Sequence, residues 1–136
     1  MKEQLLETLG KAKKYTLAVA DAMPATDYIY KPEGAGWNFI ELLNHIGYGV
    51  EWWKENFLLG NEKEWLQPVL KMNKVDTINY LNQVFQDFEK NCLALPLIND
   101  MEIYGFHATL DHITHHRGQA VTYLRCKGIT PPEYIY

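Results

Sequence analysis

From Ala108 to Lys127 the chain reads ATLDHITHHRGQAVTYLRCK. Ile113, Ala120, Tyr123 and Leu124 recur at the three- and four-residue spacing that lines one face of an α-helix. Gly128 follows where a left-handed residue closes a helix, and Pro131-Pro132 blocks any continuation. The spacing predicts an amphipathic helix over 108–127. Its apolar stripe needs partners.

Working outward, three further stretches carry helical periodicity. Between Lys2 and Ala22, Leu5, Leu9, Ala12, Thr16 and Val19 lie within one narrow stripe that Leu6 and Ala20 widen and Met23 extends. Pro24, Pro32, Gly34 and Gly36 then break the chain into a loop. Asn38 with Glu41 three residues on has the form of a capping box, opening a helix that runs to about Leu58 and stops before Gly60-Asn61. Asp76 is the expected cap of a third helix, which carries Ile78, Leu81, Phe85, Phe88 and Cys92 on one face until Pro96. The polar segment 61–73, with Pro68, is expected to hold at most a helical turn, and 97–104 to be irregular or briefly extended. Four such helices bury their stripes only against each other. The fold expected is an all-α four-helix bundle, one domain over residues 1–136.

Composition agrees. The 136 residues are 47% hydrophobic and 22% charged, which excludes a disordered or fibrous chain. Formal net charge is −4, from 13 Lys and Arg against 17 Asp and Glu, so the basic footprint of a nucleic-acid binder is missing. Lys11, Lys13 and Lys14 read as a solvated helix face. No apolar run reaches membrane-spanning length and the first residues lack a secretory pattern, so a cytoplasmic protein without membrane partners is expected. Cys92 and Cys126 form no CxxC pair and read as buried small hydrophobes.

Chemistry concentrates in the histidines. His112 and His116, four apart, stand one above the other on a helix and share the face of Ile113, Ala120, Tyr123 and Leu124. His115 aligns instead with Asp111, Gln119 and Thr122 on a polar side, and His107 has no evident role. On the second helix His45 shares a face with Leu42, Gly49, Trp52, Trp53 and Asn56. Three inward imidazoles need partners. Either each hydrogen-bonds separately within the core, or all three hold one divalent cation with a coordination position left open. Periodicity alone leaves both alternatives standing. Tyr48, Trp52 and Trp53 are candidates to line a pocket there, plain core packing being the favoured reading of the two tryptophans. Arg117 and Gln119 read as structural ties between helices. No GxSxG, P-loop, GxGxxG or HExxH occurs.

The run His112-x-x-x-His116-Arg117-Gly118-Gln119, the downstream Gly128-Ile129-Thr130-Pro131-Pro132 and the block Trp37-Asn38-Phe39-Ile40-Glu41-Leu42-Leu43-Asn44-His45-Ile46 together resemble the DinB/YfiT-like family. The resemblance implies an up-down-down-up bundle with a divalent metal, Zn, Ni, Fe or Mn, on His45, His112 and His116. It further implies a small-molecule substrate and an activity among metal-dependent transferases using low-molecular-weight thiols (bacillithiol, mycothiol or glutathione type) or hydrolases. A non-catalytic metal-binding or ligand-sensing bundle is the alternative. Homodimers are implied as well, with His115, Thr122 or Tyr123 bordering the contact.

Overall fold

Asn38 turns the chain into a helix by the expected reciprocal device: its side-chain oxygen accepts the Glu41 amide at 2.9 Å, and the Glu41 carboxylate accepts the Asn38 amide at 2.8 Å. The computed structural model describes residues 1–66 and 69–136, and no strand occurs among them. Four long helices make the fold all-α: α1 (Lys2–Ala22), α2 (Phe39–Trp53), α3 (Lys74–Ala94) and α4 (Asp100–Cys126). A π-helical turn, Lys54–Leu58, carries α2 on to the end expected from its sequence. Helix α2 packs against both α3 and α4, and α1 packs against the same two. Phe39, Leu43, Phe85, Phe88, Phe106 and Leu124, fully buried, fill the space between them. No helix among the described residues is long and apolar enough to cross a membrane.

Two helix starts differ from expectation. Asn73, not Asp76, caps α3: its side-chain oxygen accepts the Asp76 amide at 2.8 Å. Asp76 sits inside the first turn, where a carboxylate meets the positive end of the helix dipole. Helix α4 begins at Asp100, well before Ala108, capped by Asn99 accepting the Glu102 amide at 2.8 Å. Its first turns escape a periodicity reading because their pattern is inverted. Glu102 is buried and accepts the Ile98 amide, while Met101 and Tyr104 are exposed. The stretch 97–104 is therefore mostly helix.

The α4 exit follows the sequence. Gly128 has φ of +73°, and the amides of Gly128 and Ile129 return to the carbonyls of Arg125 and Leu124, both at 2.9 Å. Beyond it the tail lies against α1, the Tyr15 hydroxyl donating to the Pro132 carbonyl at 3.2 Å. Buried Arg117 stacks near Tyr15 and Tyr134, 4.9 and 5.9 Å from their ring centres, and donates to the Ala12 carbonyl of α1. It is a tie between elements, as its sequence context suggests. Of the cysteines only Cys92 is buried, and burial pushes its thiol up to about 12; Cys126 is exposed on the last turn of α4.

One connector bears on the site. In segment 61–73 the described residues contain no helix, and Pro68 lies outside them. Side chains four apart on α2 and its π turn hold this strap by its backbone. Asn44 pairs with both the amide and the carbonyl of Lys71, and Tyr48 accepts the Leu66 amide at 2.9 Å. Trp52 donates to the Lys63 carbonyl and Asn56 accepts the Lys63 amide, each at 3.0 Å. Trp65 is thereby laid over the α2–α4 seam.

Candidate metal centre

Packing of α2 on α4 sets His45 opposite His112 and His116. The Nε2 atoms of His112 and His116 each stand 3.0 Å from His45 Nε2. The ligating atoms of the three residues all lie within 4.8 Å of one another, close enough to hold a metal ion. The rings are half-buried at the edge of the core, not deep within it. His115, one residue away, is exposed and outside the cluster, and so is His107.

Separate hydrogen bonding does not satisfy this arrangement. An imidazole nitrogen has one in-plane site, either an N–H or a lone pair. His45 Nε2 faces two other nitrogens with that single site. At His116 the opposite nitrogen, Nδ1, lies 2.7 Å from Gln119 Oε1, an acceptor, so Nδ1 carries the proton and Nε2 presents its lone pair to the cluster. His112 Nδ1 is buried with no hydrogen-bond partner. Its ring occupies a notch at Gly49 of α2, where any β-carbon would overlap it. Three ring nitrogens converging from two helices, with the His116 tautomer set from behind, fit a divalent cation.

The electrostatics favour the same state. Burial foremost, then repulsion from His116, His45 and His115, pulls His112 down to about 3. Burial and His116 pull His45 down to about 4. Burial likewise lowers His116, Gln119 working in the opposite direction. All three rings are neutral at pH 7, as ligation requires. Because these folded-state values lie below the ordinary value near 6.5, the associated stability is complete above that pH. It is lost progressively as pH falls below about 6.5, the loss ending near the folded-state values of about 4 and about 3. Metal-free protein should therefore lose melting temperature between pH 6.5 and 5, where ordinary carboxylates stay ionised. His112→Gln should flatten that slope, and equal slopes in the two proteins would contradict the assignment.

Aromatic rings wall the cluster. Trp37 lies 4.4 Å from His45 and 5.7 Å from His116, centre to centre. On the other side Trp65 lies 5.4 Å from His45 and 6.3 Å from His112. Tyr48 and Trp52 stand behind Trp65, at 4.7 and 5.6 Å. Trp53 turns away to Phe57 and Tyr104, so it does not line the site. Buried Tyr123 points inward and donates to the Trp37 carbonyl at 2.7 Å, steadying that wall.

The sequence thus points to the three histidines that the fold brings together, and misses Trp65 and the contact of Gln119 with His116. The Gln119 signal was its position three residues after His116, one turn along the helix. Trp65 sits in a segment without periodicity and left no signal. Gln119→Leu should weaken metal binding by about 10–100-fold, the usual effect of removing such a supporting partner. Isothermal titration with zinc checks this, and unchanged affinity would show that the ring needs no support.

No protein-family model matches the chain, and no curated protein matches it.

Proposed function

We propose that this protein is a DinB/YfiT-like metalloprotein, an up-down-down-up four-helix bundle in which His45, His112 and His116 hold one divalent ion, Zn, Ni, Fe or Mn. Its activity on this reading is transfer of a low-molecular-weight thiol to a small molecule, in the cytoplasm and as a homodimer. One observation carries the reading: three neutral imidazole nitrogens from two helices converge at 3.0 Å contacts beside an aromatic wall.

When bound, the cation supplies Lewis acidity that favours the ionised form of a thiol or a water. The protein's own residues do the rest. The histidines deliver uncharged lone pairs, which leaves the site net positive and attractive to a thiolate. Gln119 keeps His116 in the ligating tautomer. Trp37 and Trp65 keep water from the flanks. A thiol near pKa 8.5 ionises far more readily than water, which favours a thiol as the nucleophile.

Elemental analysis of untagged protein, paired with an assay of thiol loss to an alkylating electrophile, tests the proposal. Turnover rising in proportion to metal occupancy is the expected result. Full occupancy without turnover across thiols and esters would replace the transferase with a non-catalytic binding bundle. Absence of stoichiometric metal would end both.

A further inference from the structure

The walls of the cluster bear on what it accepts. Two indoles border the three histidines from different sides, Trp37 along His45 and His116, Trp65 along His45 and His112. Trp65 is 39% exposed, so part of it is open to an incoming molecule. Beyond it Tyr48 and Trp52 extend the aromatic surface.

Charge near this surface is already spent. A cavity of about 190 Å³ beside Tyr48 and Trp52 is lined also by Glu51, Lys54, Glu55 and Lys63. Glu55 pairs with both lysines, at 3.3 and 3.2 Å, and Glu51 accepts the Tyr80 hydroxyl at 2.8 Å. No free ionic anchor for a charged substituent remains among these groups. Indole faces, by contrast, attract flat π systems through offset and edge contacts.

We infer that the ligand taken up beside the three histidines carries a flat, uncharged aromatic group that packs against Trp65 and Trp37. This rests on the metal-site reading above and adds the chemical class of the bound molecule. The strap is held by hydrogen bonds to its backbone that the Trp65 side chain does not make, so Trp65→Ala retains those groups and removes only the ring and its packing on Tyr48 and Trp52. Trp37→Leu retains apolar bulk at the second wall.

The test is a titration of cobalt-loaded protein with thiophenol and with 2-mercaptoethanol, read from the cobalt visible spectrum. The quantity that matters is the ratio of the two affinities, compared between proteins, which cancels the intrinsic difference between the thiols. Trp65→Ala should lower the wild-type preference for thiophenol by about 10-fold, and Trp37→Leu should lower it in the same direction. Both variants should still bind one cobalt per chain, because all three histidines are retained. One cobalt bound with the same ratio in all three proteins would overturn the aromatic preference and leave the metal site standing. Failure of wild-type protein to bind cobalt would overturn the metal site and this inference with it.

Discussion

His45→Ala should abolish stoichiometric metal binding, whereas His115→Ala should leave it intact. The contrast follows from placement. His45 Nε2 is the hub of the cluster, 3.0 Å from both partners, and His45 is the member of the three-histidine group that α2 supplies. Without it, His112 and His116 remain as a two-residue site on one helix, open on the α2 side. The expected fall in affinity exceeds the roughly 10–100-fold that follows removal of a supporting partner. His115 lies on the exposed side of α4 and contributes no nitrogen to the cluster. His112→Ala should behave as His45→Ala does. Elemental analysis after dialysis, with circular dichroism to confirm helicity, distinguishes the variants. Retained metal in folded His45→Ala would refute the three-ligand centre.

Gly49→Ala should disable the site while sparing the fold. A β-carbon at this position would overlap the His112 ring, reaching Cε1 and Nδ1 and standing 3.0 Å from Nε2. The obstructed atoms are the tip of a side chain, so the ring turns aside more readily than two helices separate. Overpacking of this kind costs about 1–3 kcal/mol, against about 1 kcal/mol gained by replacing a helical glycine with alanine. Net stability therefore changes little. Metal affinity falls as though His112 were lost, since its Nε2 no longer faces His45. Thermal melts beside zinc titrations separate the two effects. A variant that binds zinc as tightly as the wild type would show that the notch at Gly49 does not position the ring.

Helix identity was legible wherever burial and periodicity coincide. Leu9, Thr16, Val19 and Ala20 on α1, and Leu81, Phe85, Phe88 and Cys92 on α3, are buried as their spacing requires. The same logic picked His112 and His116 over His115. It failed where the inside is polar and the outside apolar, at Glu102 beside Met101 and Tyr104, and so it placed the start of α4 too late. The cap at Asn99 with Glu102 repeats the spacing of Asn38 with Glu41 and offered a local signal that periodicity obscured. Trp65 was beyond reach for another reason. Its position is set by contacts between a strap and the polar tips of α2, and neither partner's sequence shows the other.

The attachment of that strap separates a mount from what is mounted. Asn44, Tyr48, Trp52 and Asn56 grip main-chain groups at Lys63, Leu66 and Lys71, which every amino acid other than proline supplies alike. Exchange at residue 65 accordingly leaves those main-chain hydrogen bonds available, while removing the ring's packing on Tyr48 and Trp52. If the three histidines hold an ion, a single change at position 65 would alter what packs beside it and leave those histidines as they are.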